Sequence, residues 1–180
     1  TFNNKINTID QKVIDYILNI REDNLTNTMM IITNISSAYA LIVISILLLA
    51  IIKNKKIPIS ISKNLIVVFI ISQLFKIIIK RPRPININLV EASGFSYPSG
   101  HSMVSMAYFG LITYLIYKNL NNKLAKIILI ISLLITIILI GFSRIYLGVH
   151  YLSDVIAGFL LAIAYLIVYI KIDNKNKEVK

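Results

Sequence analysis

The chain has 180 residues, of which 57% are hydrophobic and only 15% are charged, with a mean hydropathy of +0.76 and a formal net charge of +11. Soluble domains carry about 45–50% apolar and about 25% charged residues, so this composition indicates one membrane-embedded domain. The lysines and arginines flank apolar runs instead of lining one solvated face, which argues against nucleic acid as a partner. The absence of cysteine excludes disulfides and thiolate metal sites.

The N-terminal segment, residues 1–25, is more polar than the rest of the chain. Within it, residues 8–20 have the periodicity of an amphipathic helix that lies in the membrane interface. Ile9 lies on the apolar face of this helix, and Asp10 and Asp15 lie on the polar face.

Five apolar stretches follow, each read as a membrane span, although the third is short. They cover residues 29–52, 62–80, 102–117, 127–142 and 155–172, with a bend or cap expected at 34–37 and a polar, frayed tail at 173–180. The sequence therefore predicts an all-α fold, a polytopic transmembrane helix bundle, in a single domain over residues 1–180.

The positive charges between these spans predict how the bundle is oriented. Segments 53–56, 118–126 and 171–180 contain three, three and four Lys or Arg residues and fall on one side if the spans alternate. The positive-inside rule makes that side cytoplasmic, in a multi-pass protein of the cell membrane. Loops 81–101 and 143–154 then face outward, with Ser96 expected to be accessible from that side.

The first candidate element is Lys76 to Arg83. Lys76 lies deep in an apolar segment, so its ammonium group either faces a polar cavity or snorkels to the headgroups. Arg83 stands between two prolines on a stiff, extended segment that suits presentation of a guanidinium. The cluster of Lys80, Arg81 and Arg83 is open to a different interpretation, as an anchor that binds lipid headgroups, and this alternative is strongest for Arg81.

The second element, Pro98-Ser99-Gly100-His101, immediately precedes the third span. A turn that opens a helix presents free backbone N–H groups and a hydroxyl to an anion, and His101 would stand beside that anion as a proton donor. A plain helix cap with a chance histidine is the alternative. A serine-hydrolase site is disfavoured because the Gly-x-Ser-x-Gly pattern is missing.

The third element combines Arg144, His150 and Asp154. The fork of donors on Arg144 suits a phosphate or carboxylate. If Asp154 opens a helix, its carboxylate comes near His150 and makes that imidazole a better nucleophile or base. The alternative is an interfacial loop with a capping aspartate.

Together the three elements place two histidines, several cations, one carboxylate and a set of amides on one side of the membrane. This inventory suits phosphoryl transfer through a covalent histidine intermediate, with cations neutralising the phosphate oxygens. No acidic cluster is available for magnesium, so the predicted reaction needs no metal and no cofactor.

The same residues resemble the signature of the type 2 phosphatidic acid phosphatase superfamily over residues 76–154. The pattern reads Lys-x6-Arg-Pro, Pro-Ser-Gly-His and Ser-Arg-x5-His-x3-Asp, here from Lys76, Pro98 and Ser143. The resemblance implies that His150 is the nucleophile, that Asp154 orients it, and that His101 is the general acid. The phosphate-binding groups that it implies are Lys76, Arg83, Ser99, the Gly100 amide and Arg144.

The resemblance also implies six spans and an outward-facing site, so a sixth span is expected before Thr1. It makes a lipid phosphate in the membrane the expected substrate: phosphatidic acid, phosphatidylglycerol phosphate or undecaprenyl diphosphate. Gly100, where relatives that recycle undecaprenyl diphosphate often carry Asp, favours the phosphatidylglycerophosphatase-like branch.

Two other function classes are open at this stage, and the oligomeric state is not indicated. A haloperoxidase-like anion-binding protein would share the pocket, but those proteins are soluble and this chain is strongly apolar. A non-catalytic lipid-binding or channel protein could use the same cations, and would tolerate replacement of His150 and His101.

Overall fold

The computed structural model describes the backbone of residues 2–178 and the side chains of residues 5–174. That part of the chain contains α-helices and no strand, as the sequence predicts. The helices are α1 (Phe2–Asn19), α2 (Asp23–Asn34), α3 (Ala38–Ile51), α4 (Lys56–Ile79), α5 (Gly100–Asn119), α6 (Lys123–Tyr146) and α7 (Leu152–Glu178).

Three of these helices are long and apolar enough to cross a membrane: α4, α6 and the part of α7 up to Asn174. Helices α2 and α3, with 12 and 14 residues, are each too short to cross and are long enough only as a pair, which is bent by 48° at the break. The break falls where the sequence predicts a bend, and the Ser37 hydroxyl caps α3 by accepting from the Ala40 amide at 3.2 Å. The first predicted span is therefore a bent pair.

The prediction of five spans needs correction at its third member. Helix α5 has 20 residues, a length of about 30 Å, but it does not meet the apolarity criterion that the other spans meet. It packs against α4, α6 and α7 at the centre of the bundle and buries Ser102 and Ser105 completely. Because protein surrounds this helix on several sides, it does not need the continuous apolar surface of a lipid-facing helix.

Polar contacts fix α5 to its neighbours inside an otherwise apolar core. The hydroxyls of Ser45 on α3 and Tyr108 on α5 lie 2.9 Å apart, and both side chains are buried. Asn64 on α4 donates to the Ala107 carbonyl at 2.9 Å. Hydrogen bonds of this kind join membrane helices, where apolar contact with a neighbour is little better than contact with lipid.

The amphipathic helix predicted near the N-terminus is α1, but its polar face is divided. Asp15 is exposed, whereas Asp10 is only 2% exposed, which corrects its assignment to the solvated side. Helix α1 packs against α6 and α7, and Arg21 after it donates to the Tyr146 carbonyl at 2.9 Å. At the other end, α7 continues through Glu178, so the tail is helical beyond Asp173 where a frayed segment was predicted.

Two loops at one end of the bundle, residues 80–99 and 147–151, are joined through their backbones. The Leu89 amide donates to the Leu147 carbonyl at 2.9 Å. Gly148 has a φ of +73°, and a Cβ at this position would lie 2.2 Å from the Ile87 carbonyl oxygen. Only glycine allows this approach, which places His150 against the loop that carries Arg83.

Candidate active site

The three sequence elements converge on one cavity of about 890 Å³. Most of the predicted site residues line it: Lys76, Arg83, Gly100, His101, Arg144 and His150. Ser99 and Asp154 do not line the cavity, although both lie directly behind residues that do.

His150 lies between a cation and a carboxylate and is only 2% exposed. Its Nε2 accepts from Arg83 Nη1 at 3.2 Å. Its Nδ1 lies 3.6 Å from Asp154 Oδ2, which is beyond a hydrogen bond, and 3.3 Å from the hydroxyl of Ser96. The predicted pairing of His150 with Asp154 is therefore close but indirect.

Ser96 is a site residue that the sequence motifs do not identify. Its hydroxyl donates to Asp154 Oδ2 at 2.5 Å. The Ser96 hydroxyl oxygen therefore has a lone pair free to accept from His150 Nδ1–H. This network assigns the proton to Nδ1 and the lone pair to Nε2, where it accepts from Arg83 at the cavity. Ser96 is also completely buried, which corrects the expectation that it is accessible from outside.

Asp154 is a fully buried carboxylate in the first turn of α7. Its Oδ2 accepts from the Tyr151 amide at 2.9 Å, and its Oδ1 accepts from Arg81 Nη1 at 2.6 Å. The N-terminus of the helix favours negative charge at this position. Arg81 is thus an interior ion-pair partner and not the headgroup anchor that the sequence left open, whereas Lys80 is exposed at the end of α4.

Lys76 and Arg83 both point inward. The Lys76 ammonium donates to the Phe95 carbonyl at 2.6 Å, which decides for the cavity and against snorkelling. Arg83 donates to the carbonyls of Val149, Ser93 and Gly94 at 2.8, 2.9 and 3.1 Å. Burial lowers the pKa of Arg83, with Asp154 opposing the shift, but a guanidinium still remains charged.

Arg144 is a buried cation, 6% exposed, that lines the cavity. Its Nη1 donates to the Thr33 hydroxyl at 2.6 Å, and its Nε has no hydrogen-bond partner among the described residues. No carboxylate of that part of the chain forms an ion pair with it. A buried guanidinium in this state is strongly stabilised by an anionic ligand.

The second element supplies the N-terminus of α5. The Ser99 hydroxyl caps this helix and accepts from the Ser102 hydroxyl at 2.9 Å, so its contact with phosphate remains a prediction. Gly100 does face the cavity, where a Cβ would lie 3.5 Å from the Ser72 hydroxyl, an ordinary contact. A side chain with a Cβ would therefore fit at this position, so lack of space does not explain the glycine.

The site as a whole favours an anion. Lys76, Arg83 and Arg144 line the cavity, and the nearby Asp154 is already paired with Arg81. Within the described residues, no group of three or more His, Asp or Glu side chains comes together as a metal site.

Comparison with known proteins agrees with this arrangement. The family model for the PAP2 superfamily matches residues 58–178. The chain belongs to the PAP2 superfamily. The family inferred from the three motifs is thus confirmed, and the matched region contains every predicted site residue.

Two proteins that are similar to this chain in sequence have the names of lipid phosphatases. The chain is 38% identical over 111 residues to phosphatidylglycerophosphatase B of Bacillus subtilis, covering 61% of this chain and 54% of that protein. It therefore spans about half the length of that relative. It is 30% identical over 164 residues to the undecaprenyl-diphosphatase of Sulfolobus acidocaldarius, covering 87% of this chain and 75% of that protein.

Two crystal structures share the fold. The transmembrane PAP2-type phosphatidylglycerolphosphate phosphatase from Bacillus subtilis superposes with a TM-score of 0.85 at 27% identity, covering 96% of this chain and 88% of that one. LpxE of Aquifex aeolicus superposes with a TM-score of 0.74 at 23% identity, covering 89% and 94%, and supports the fold alone. The predicted transmembrane helix bundle is confirmed by these matches.

The protonation state of His150 gives a direct test of the site. Burial, aided by the nearby cations, lowers the pKa of His150 to about 4, although Asp154 opposes the shift. The PAP2 chain contains only two histidines, so histidine-labelled protein gives two sets of ring NMR signals, which His150→Gln assigns. We expect the His150 signal to titrate near pH 4, and a midpoint at or above 6.5 would contradict the burial argument.

This shift also has a consequence for stability. Because the folded-state pKa lies below the unfolded value of about 6.5, the unfolded chain binds the proton more readily between the two values. His150 therefore contributes to stability above pH 6.5, and that contribution is lost as the pH falls towards 4.

Proposed function

We propose that this protein is a membrane lipid phosphatase that hydrolyses a phosphomonoester or diphosphate of a lipid through a phosphohistidine intermediate, without a metal. The observation that carries the proposal is the cavity itself. In it a neutral, buried imidazole stands among three cations, directly beside the lipid-facing surface of the bundle.

The geometry supports a two-step reaction. In the first step, His150 Nε2 attacks phosphorus and the bond from phosphorus to the leaving oxygen breaks. Burial and the nearby cations lower the pKa of His101 to about 3, so His101 takes up a proton once the phosphate offsets those cations, and it then protonates the leaving oxygen. Arg83, Arg144 and Lys76 neutralise the phosphoryl oxygens as charge redistributes over them. In the second step, water attacks the phosphohistidine, His101 accepts its proton, and inorganic phosphate leaves.

Ser96 and Asp154 act on the far side of the ring. They hold the Nδ1 proton, so Nε2 is the nitrogen that attacks. As the N–P bond forms, positive charge develops on the imidazole, and the nearby carboxylate stabilises it.

A lateral opening argues for a lipid as the substrate. Several apolar residues on α3 and α4 line the cavity and are also exposed on the outer surface of the bundle. They are Ile42, Ile66, Phe69, Ile70 and Ile77, with exposed fractions from 49% to 60%. A phosphate headgroup can therefore reach the cations while its apolar chains stay along this surface. The names of the relatives, a phosphatidylglycerophosphatase and an undecaprenyl-diphosphatase, support the same substrate class.

Phosphate release from lipid phosphates tests the proposal. Purified protein in detergent is given phosphatidic acid, phosphatidylglycerol phosphate or undecaprenyl diphosphate, with and without EDTA. We expect turnover of at least one of them that EDTA does not reduce, and a loss of about 10³-fold or more in His150→Ala. Full activity of His150→Ala would disprove the nucleophile, and loss of activity in EDTA would disprove the metal-free reaction.

The lateral opening is tested by a matched pair of neighbouring residues on α4. Ile77 lines the cavity, whereas Ile78 does not line it and is 75% exposed. We expect Ile77→Trp to raise KM for a long-chain lipid phosphate about 10-fold while KM for a short, soluble phosphomonoester stays the same. Ile78→Trp should change neither constant, and equal KM changes for both substrates in Ile77→Trp would contradict lateral entry.

We also propose that the cavity faces the outer leaflet, with support from the distribution of lysine and arginine between the helices. Ser96 is unsuitable as a probe because it is buried, but Asn88 is exposed in the same loop, and Asn121 is exposed between α5 and α6. The chain has no cysteine, so single-cysteine variants need no other change. In intact cells, an impermeant thiol reagent should label Asn88→Cys and spare Asn121→Cys, and the reverse pattern would place the cavity inside.

A further inference from the structure

Asp10 on α1 is a buried carboxylate that the reaction above does not use. Its Oδ1 accepts from the Ser153 amide at 2.9 Å, and its Oδ2 accepts from the Ser153 hydroxyl at 2.6 Å. The same Oδ2 forms an ion pair with Arg81 at 2.7 Å. A helix at the membrane interface can leave its acids in water, so a buried, fully paired aspartate indicates a specific role.

Arg81 joins this carboxylate to the one beside His150. One guanidinium nitrogen, Nη2, binds Asp10, while the other, Nη1, donates to Asp154 Oδ1 at 2.6 Å and to the Ser153 hydroxyl at 2.7 Å. The guanidinium also stacks on the Tyr151 ring, 4.2 Å from its centroid. The planar fork of arginine fixes the direction of both ion pairs, which the point charge of a lysine cannot do.

The two oxygens of Asp154 have separate partners because of this arrangement. Arg81 holds Oδ1, so Oδ2 is directed at Ser96 and, through it, at His150 Nδ1. Without Arg81, Asp154 and Asp10 would be two buried carboxylates near Ser153 with no arginine between them. Without Asp10, half of the Arg81 fork would be unpaired, and Arg81 could rotate and turn Asp154 with it.

We infer that Asp10 and Arg81 are positioning residues: Asp10 fixes Arg81, and Arg81 orients Asp154 towards Ser96 and His150. The inference rests on the proposed phosphatase function and adds to it that helix α1 has to be seated on the bundle for the nucleophile to be correctly oriented.

The kinetic test compares Asp10→Asn and Arg81→Gln with Asp15→Asn in the full chain, using the lipid phosphate that is turned over best. Asp15 lies on the same helix but is exposed, with its side chain paired to Gln11, so its substitution is a matched control. We expect kcat to fall about 10- to 100-fold in the first two variants, with KM within about twofold, and no change in the control. The double variant should be no slower than the slower single variant, because both act through Asp154.

A second measurement does not depend on turnover. The ring signals of His150 in histidine-labelled protein should shift in Asp10→Asn and Arg81→Gln and stay in place in Asp15→Asn. Thermal unfolding of each variant shows whether it folds. If Arg81→Gln does not fold, Arg81→Lys, which keeps the charge but not the planar fork, replaces it in both measurements.

The outcomes separate the two proposals. Wild-type kcat and unshifted His150 signals in both variants, or additive losses in the double variant, would overturn the positioning role while leaving the phosphatase function intact. A wild-type protein that releases phosphate from none of the lipids would overturn the proposed function, and the NMR measurement then decides the positioning role by itself.

Discussion

The arrangement of this site depends on one buried carboxylate. The side chain of Asp154 accepts from Arg81, Ser96 and the Tyr151 amide, while its backbone carbonyl accepts from the Ser99 amide at 3.0 Å. These donors belong to the loop after α4, the loop before α7 and the start of α5, so a single residue connects all three sequence elements. Burying a carboxylate costs several kcal/mol unless its oxygens are paired, which makes this set of contacts mutually dependent.

The arginines around Asp154 are divided by their partners, and that division matches their roles. Arg81 is paired with two carboxylates and is therefore neutralised before any ligand arrives. Among the described residues, the partners of Arg83 and Arg144 are uncharged. Arg83 donates to three carbonyl groups and to His150, and Arg144 donates to the Thr33 hydroxyl. Their charge is available to a phosphate, and the ligand supplies the counter-ion that the described residues do not. If removal of Arg81 and removal of Arg144 both reduce activity, the two losses should therefore have different causes.

The sequence predicts the site better than the contacts that support it. Spacing within the three motifs identifies His150, His101 and the cations because those residues lie on short, well-defined segments. Ser96, Arg81 and Asp10 could not be found in this way, because their roles depend on contacts between parts of the chain up to 143 residues apart. The hydrophobic periodicity of α1 placed Asp10 on the polar face, because such a pattern cannot distinguish an acidic side chain in water from one that is paired inside the bundle. The same limit applies to α5, whose central position hides its serines from lipid.

Burial lowers the pKa of both kinds of basic side chain in this cavity, but only the imidazole loses its charge at neutral pH. The low polarity around His150 disfavours the imidazolium and lowers its pKa to about 4, so the ring is neutral at neutral pH, as the proposed attack requires. The guanidinium groups of Arg83 and Arg144 keep their charge in the same surroundings, because arginine is not deprotonated in proteins. Low polarity also strengthens the attraction between these cations and a phosphate. The burial of these groups thus keeps the proposed nucleophile neutral while the guanidinium groups stay charged.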